Sequence, residues 1–517
     1  MRGLQFLRPY AWKPLDMRNP AYLRFYHLAR KQELDQANAL RYPRIRNDGR
    51  CMRIPAFREK YKDIEQGKVA EEEVTLRGRV QFVRRSSSKL MFVVIKSEFE
   101  QVQGMFNFRK LEGATLEDFK GIAKLLNRGD VVSVTGKATR TQTGELTIEA
   151  TRMPEMLTPS LVPLPVHLED EARVQTRHID MLVNSKTVDT LRLRSHIIKH
   201  MRDFFHGRDF LEFQTPILSS TAGGAVATPF TTTTTPPLSL RIAPELWLKR
   251  LVVGGIDKVF ELGPSFRNEG IDTTHNPEFT TCEFYQSYGS LPDLIALTET
   301  LIHSLSSHIA TLPLPSLPTP PAFPQPFPQH EFLPTLQTAL GFTFPDLSLP
   351  TAHTTLLSLL AEHNIAHDSS QALPKLLDKL ASTYIEPLSS KQPIFITHHP
   401  VCMSPLAKSF ICPKTNQPIS ARAELFIGGR EMANMYEEEN DPFAQREKFL
   451  AQAKEKGSEE IDESYVRALE SGLPPTGGWG CGVERLVMLF SGAGRIGEVL
   501  SFGNLRNVTA LGGTVKE

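Results

Sequence analysis

Between residues 74 and 150 apolar and polar positions alternate in short runs: Val74–Val80, Leu90–Ile95, Val102–Phe108, Val131–Lys137 and Leu146–Ala150. Alternation with a period of two turns one side of each run toward a core, so each predicts a β-strand. Ser86-Ser87-Ser88, Arg128-Gly129-Asp130 and Thr143-Gly144-Glu145 supply turns between them, and Leu116–Leu126 reads as a helix. Five strands and one helix in about 80 residues suit a small closed barrel of the oligonucleotide-binding (OB) kind, or a purely structural barrel with the same strand count.

From Leu191 the period becomes helical. Leu193, Ile197, Met201, Phe204 and Phe205 fall on one face, with Arg192, Arg194, Lys199 and Arg202 between them. The helix runs out at His206-Gly207, and an extended piece, Phe210–Thr215, is stopped by Pro216. Strands, hairpins and helices then mix to the C-terminus, which predicts one large α+β domain around an antiparallel sheet, not alternating βαβ units. Thr231–Thr235 with Pro236-Pro237 reads as a low-complexity loop. Residues 313–328 hold eight prolines in sixteen positions and predict extended, solvated chain. The expected divisions are a basic leader at 1–45, an all-β barrel at 46–160, a linker at 161–190 and the α+β domain at 191–517 with a Pro-rich insert near 312–329.

Composition narrows the partners. The chain has 517 residues, with 59 Lys and Arg against 58 Asp and Glu. That balance excludes a bulk polycation but leaves room for a local basic patch on nucleic acid. No apolar run approaches the ~18 residues that span a bilayer, so no membrane partner is expected. Cys51, Cys282, Cys402, Cys412 and Cys481 are odd in number and form no CxxC pair, against a disulfide framework or structural zinc. Residues 1–32 carry seven basic side chains and one acid, Asp16, as a mitochondrial transit peptide would. The absence of Ser from the first 50 residues, and Pro9, Pro14 and Pro20, fit a basic arm instead. A mitochondrial matrix location is the first expectation, a cytoplasmic one the alternative.

Four constellations carry chemistry. In Phe266–Tyr285, Arg267 and Glu269 share a strand parity, as do Phe279, Thr281, Glu283 and Tyr285. Folded as a hairpin about Gly270–Pro277, they would set an Arg fork, carboxylates and rings on one surface, able to hold a carboxylate or phosphate and cover a base. In Ala423–Glu438, the turn Gly428-Gly429 brings Glu424 and Glu431 onto adjoining strands. Two carboxylates with no Cys or His beside them in sequence suit a hard ion such as Mg²⁺. Asn434, Tyr436 and Glu438 then share one face, a receptor for an amine, and Ala433 and Met435 the packed one. Gly477–Phe490 places four glycines before a helix with Arg485 in its first turn, where a cation opposes the dipole. Arg241–Arg250 has Pro244 and Glu245 at a helix start.

Together FRNEGIDTTHNPEFTTCEFY, LRIAPELWLKRLVVGG, FIGGREMANMYEEENDP and GLPPTGGWGCGVERLVMLF resemble the signature motifs of class II aminoacyl-tRNA synthetases, and among them the lysyl-tRNA synthetases, over about residues 70–505. The resemblance implies an antiparallel-sheet class II catalytic domain behind an OB-fold anticodon-binding barrel. It implies that the enzyme adenylates L-lysine with ATP and then esterifies the 3′ end of tRNA(Lys). By the same resemblance Arg267 and Arg485 would be catalytic, bracketing ATP with Glu269, His275, Asn276, Phe279 and Glu424. Glu424 and Glu431 would hold Mg²⁺. Gly224, Glu245, Arg267, Glu283, Tyr285, Asn434, Tyr436 and Glu438 would receive lysine, with Glu438 on its side-chain ammonium. Phe92, Gln103 and Arg79 would bind the anticodon, Arg79 with Lys89 at the backbone phosphates, and Phe205–Pro216 would meet a second copy in a homodimer. The chain departs from the family pattern at Glu484, where Asp is usual, at Thr228, often basic, and in the short loop Thr231–Pro237. An aspartyl or asparaginyl synthetase would want cationic or amide groups where this chain has Glu438. A catalytically inert RNA-binding relative would have no need of Arg267, Glu424, Glu431 and Arg485, all present.

Overall fold

The computed structural model describes residues 20–45, 49–166, 168, 173, 176–220, 223–224, 227–455 and 461–511. The leader expected at 1–45 therefore lies outside the described residues over 1–19. The chain divides near residue 168 into two compact units.

The first unit contains α1 (Pro20–Gln36), α2 (Ile54–Lys60), β1 (Val69–Ser87), β2 (Leu90–Ser97), β3 (Glu100–Asn107), α3 (Leu116–Leu125), β4 (Val131–Arg140), β5 (Leu146–Ala150) and β6 (Glu155–Thr158). The strands run in the order β1-β2-β3-β5-β4, and β4 pairs back onto β1 to close the barrel, with β6 added outside β4. Closure depends on the length of β1: Val69–Arg79 pairs with β4 and Arg79–Ser87 with β2. Alternate residues fill the interior, among them Val74, Leu76, Met91, Val93, Ile95, Val132, Val134 and Ile148. The Thr115–Asp118 capping box starts α3.

Helix α1 belongs to this unit, although the barrel was expected to begin only at 46. Leu34 is wholly buried in the barrel core. Arg30 donates to Asp130 at 3.0 Å and to the Leu125 carbonyl at 2.8 Å, and both charged side chains are buried. Pro20 does not prevent the helix because it stands at its first position, where no intrahelical N–H bond is lost.

The second unit is built on α4 (Arg177–Val183), α5 (Ser185–His206), β7 (Leu211–Glu212), α6 (Glu245–Val253), β8 (Lys258–Phe266), β9 (Glu278–Ser287), α7 (Leu291–Ala310), β10 (Gln329–Glu331), β11 (Ile394–Thr397), β12 (Arg422–Ile427), β13 (Arg430–Glu437), α8 (Glu463–Leu469), β14 (Thr476–Gly482) and α9 (Val483–Ser491). Its sheet runs β10-β11-β12-β13-β14-β9-β8-β7 and is antiparallel except at the two edge pairs. Helices α5, α7 and α9 cover one face, burying Leu193, Ile197, Phe205, Leu301, Leu305, Leu486 and Val487 against Phe284, Met435 and Trp479. On the opposite face α6 and α8 pack over one end, burying Leu246, Leu248, Val252 and Leu469 with Val259 and Tyr285. This is the expected α+β class.

One expectation is corrected here. Residues 313–328 are irregular, with Pro313, Pro315, Pro318, Pro324 and Pro326 exposed, but not wholly solvated: Leu314 and Phe327 are buried, and Leu317 and Phe323 pack on the same core. Proline content removes backbone donors from this stretch, while its Leu and Phe side chains still seek apolar cover.

Candidate active site

A cavity of about 620 Å³ opens on this second face of the sheet, beside α6. Strand β9 supplies Phe279, Thr281, Glu283 and Tyr285 to its wall, at the shared parity that the sequence shows. Strand β8 ends at Phe266, so Arg267 and Glu269 leave the sheet and reach the cavity from the loop. The Arg267 N–H still pairs with the Pro277 carbonyl at 2.8 Å, and its guanidinium lies 5.0 Å from the Phe279 ring centre. Asp272 shapes the loop by accepting from the N–H groups of Thr274 and His275, both at 2.7 Å, which with the His275 ring holds its carboxyl at about 2 despite partial burial.

Gly428 and Gly429, with φ of 62° and 73°, make the two-residue turn between β12 and β13. Register then sets Glu424 opposite Asn434 and Phe426 opposite Glu431. Asn434, Tyr436 and Glu431 reach the cavity, and Ala433 and Met435 point into the core. Strand β14 lies between β9 and β13, with Gly478 opposite Tyr285 and Tyr436, and Gly480 opposite Glu283 and Asn434. Glycine is required there because those side chains fill the space above the strand: a Cβ at 478 would stand 1.9 Å from Glu438 Oε1. Gly224, at φ 89°, comes so close to Glu245 that a Cβ would lie 2.9 Å from its Cβ.

At the far end Arg485 donates to Glu431 Oε2 at 3.0 Å and lies 3.3 Å from His275 Nε2. Glu484 accepts from the Thr280 N–H at 3.0 Å and from Arg194 at 2.8 Å, so it braces β9 against α5 instead of facing the cavity centre. Asn276 lines the wall, but its amide is engaged by the Glu278 carbonyl at 2.6 Å and the Leu505 N–H at 3.0 Å.

The two carboxylates expected to hold a metal behave differently. Glu431 borders the cavity, whereas Glu424 is turned to Arg422 and to His399 Nε2 at 3.1 Å. Burial opposes its charge, yet Arg422 and His399 hold Glu424 at about 2, fully ionised. Among the described residues no three His, Cys, Asp or Glu side chains converge as a metal centre. Two carboxylates fit Mg²⁺ only where ligand phosphates complete the shell, the usual arrangement for that ion.

Glu283 is buried and next to Glu245, which pushes its carboxyl up to about 8 in spite of Arg267 and the Tyr285 hydroxyl 3.3 Å away. Glu438 is buried and does not reach the cavity wall; Lys249 is ion-paired to it. Sequence reasoning missed Lys249, Arg422 and His399. Glu245 and Lys249 are four apart on one helix, and Arg422 and Glu424 two apart on one strand, so spacing offered a signal for two of the three. His399 offered none.

On the barrel, Phe92 lies opposite Met105 and Val94 opposite Gln103, so Phe92 and Gln103 share the outer face. The Arg84 guanidinium stands 4.7 Å over the Phe92 ring. Gln103 donates to Thr147 at 3.1 Å and borders a second cavity with Arg58, Lys62 and Arg140. Lys89 is exposed. Arg79 is tied to the Gly129 carbonyl at 2.7 Å.

An antiparallel sheet with an arginine at each end of its cavity, in a chain that also carries an OB barrel, defines a class of protein, and sequence comparison agrees. Residues 169–506 match the family described as tRNA synthetases class II (D, K and N), and 74–155 the OB-fold nucleic acid binding domain. The chain is 41% identical over 497 residues, 93% of each chain, to the mitochondrial lysine–tRNA ligase of Schizosaccharomyces pombe. It is 40% identical to the lysine–tRNA ligase of Helicobacter hepaticus over 83% of each chain. A probable cytoplasmic lysine–tRNA ligase of Encephalitozoon cuniculi is 37% identical over 87% of this chain and 91% of its own. The chain belongs to the lysine–tRNA ligase family of class II synthetases.

Proposed function

We infer that the protein activates L-lysine with ATP and transfers it to the 3′ end of tRNA(Lys). The observation that carries this reading is the cavity end where Glu245 and Glu283 border Arg267, with Glu438 buried directly behind them on Lys249. Carboxyl groups beside one Arg suit a ligand that carries ammonium groups and a carboxylate.

In this reading Arg267 receives the lysine carboxylate and the α-phosphate, and Phe279 stacks on adenine. Glu269, His275 and Asn276 border ATP, and Arg485 takes the γ-phosphate once it leaves Glu431. Glu431 and Glu424 would hold Mg²⁺, which supplies charge neutralisation between phosphates. Gly224 and Glu245 receive the α-amino group; Glu283, Tyr285, Asn434, Tyr436 and Glu438 enclose the side chain. Attack of the lysine carboxylate on the α-phosphorus displaces diphosphate. No covalent enzyme intermediate is needed, so the residues act by positioning and by stabilising charge. The 3′-hydroxyl of tRNA then displaces AMP.

Phe92 and Gln103 support anticodon reading by stacking and amide contacts, with Arg79 and Lys89 at the backbone. Phe205–Pro216 supports a homodimer, checked by sedimentation. The basic residues of 1–32 and the name of the S. pombe relative support a mitochondrial location, checked with a fluorescent fusion. The deciding experiment is amino-acid-dependent ATP–pyrophosphate exchange with lysine, ornithine, aspartate and asparagine. Lysine-dependent exchange is expected. Exchange driven by aspartate or asparagine, or by no amino acid, would overturn the reading.

A further inference from the structure

Helix α6 places Glu245 and Lys249 four residues apart, on one face. Lys249 has no exposed surface. Its ammonium donates to Glu245 Oε1 at 2.6 Å and is ion-paired with Glu438 Oε2. The rings of Tyr285, Tyr436 and Tyr465 stand around it at 5.7, 5.8 and 5.8 Å. The Tyr436 hydroxyl donates to the same Glu245 oxygen at 2.8 Å. Tyr285, Tyr436 and Glu245 all border the cavity, so this ion cluster forms the layer directly behind its floor.

A buried lysine is costly unless paired, and a structural role would be met by one carboxylate with complementary hydrogen bonds. Here one ammonium bridges two carboxylates that belong to different elements. Glu438 Oε2 is taken by Lys249, while Oε1 is buried without accepting a hydrogen bond and faces the bare backbone of Gly478. An ionised carboxylate accepts at several sites, so Lys249 on one oxygen leaves capacity for a second cation on the other.

We propose that Lys249 is a specificity-determining positioning residue: its ammonium pins Glu245 and Glu438 to a single point, fixing the separation at which the two ammonium groups of a diamino acid are read. The proposal rests on the reading of the cavity as a lysine site. Charge supports it. Glu438 faces Glu245 and, on β9, Glu283, with Tyr285, Tyr436 and Tyr465 completing its surroundings. Burial and these neighbouring acids push the Glu438 carboxyl upward, opposed by Lys249 alone. Burial pulls the Lys249 ammonium down, but Glu245 and Glu438 more than reverse that, and it stays charged. Without that cation the Glu438 carboxyl would be driven further upward and would receive an ammonium less readily.

The test is Lys249→Met and Lys249→Arg in the full-length chain, by pyrophosphate exchange with lysine and with 2-aminohexanoate, which lacks the ε-ammonium. Wild-type exchange with lysine checks the lysine site itself, so its failure is separate from that of the proposal. In Lys249→Met the lysine KM should rise at least tenfold, with kcat changed far less. Preference for lysine over 2-aminohexanoate should fall by a similar factor, and the lysine KM should improve from pH 7 to 9 as the uncompensated acid ionises. Lys249→Arg should restore part of the preference. A folded Lys249→Met enzyme with unchanged preference, or one that loses both amino acids equally, overturns the proposal. If that variant does not fold, Lys249→Met with Glu438→Gln removes both charges; retained preference in the double variant overturns the proposal equally.

Discussion

Gly478→Ala tests the architecture of the cavity floor with a single methyl group. Its Cβ would stand 1.9 Å from Glu438 Oε1 and 2.6 and 2.9 Å from Tyr285 Cε1 and Cδ1, where ordinary contact begins near 3.4 Å. Both obstructing side chains are buried and cannot swing into solvent. The carboxylate must therefore move by well over an ångström, a displacement large enough to cost about 100-fold in rate at a positioned site. Overpacking of this kind also costs about 1–3 kcal/mol of folding stability, so the melting midpoint should fall together with the lysine kcat/KM. Gly480→Ala, two residues along the same strand, meets only Glu283 Cγ at 3.3 Å and serves as the matched control. Pyrophosphate exchange and thermal melting read both variants. If Gly478→Ala retains the lysine kcat/KM and melting midpoint of the parent, the packing of Glu438 against β14 described above is wrong.

Arg30→Met leaves the Asp130 carboxylate buried without its cation and should destabilise the barrel by about 3–5 kcal/mol in urea unfolding, with the exposed Arg24→Met on the same helix near neutral. The Glu283 carboxyl, raised to about 8 in the fold, binds a proton that the unfolded chain releases near 4.3. Its contribution to stability is thus complete below about pH 4 and declines by roughly 1.4 kcal/mol per pH unit until pH passes 8. Glu283→Gln should flatten that slope in pH-dependent unfolding; an unchanged slope would contradict the burial assigned to it. Glu431→Gln should raise the Mg²⁺ concentration for half-maximal exchange while leaving the lysine KM within about twofold, since Glu431 stands at the Arg485 end of the cavity. Phe92→Ala removes a stacking ring worth about 1–3 kcal/mol and should weaken tRNA binding without altering exchange.

The barrel strands were legible because a half-buried ladder imposes a period of two, and Val74, Leu76, Met91 and Val93 obey it. Phe279, Thr281, Glu283 and Tyr285 were legible for the same reason, one strand face turned to a cavity. Helix α1 was not: its anchor, Arg30, meets an acid 100 residues away, and local composition shows only basic chain. The Pro-rich stretch misled because proline predicts how a backbone behaves, not where Leu314 and Phe327 go. Lys249 was half legible, as an i, i+4 partner of Glu245. Its second partner, Glu438, adjoins it only after β13 and α6 pack. His399 reaches Glu424 from beyond the end of β11, a tertiary fact with no local sign.

The Arg30–Asp130 pair sets how far the N-terminus could be shortened without loss to the barrel. A protease that trims the basic N-terminus upstream of Arg30 leaves the barrel core whole. A cut one turn further on removes the guanidinium and strands a charge that water cannot reach. A chain shortened past Arg30 would lose stability first in the barrel, at one buried contact between residues 100 apart in sequence.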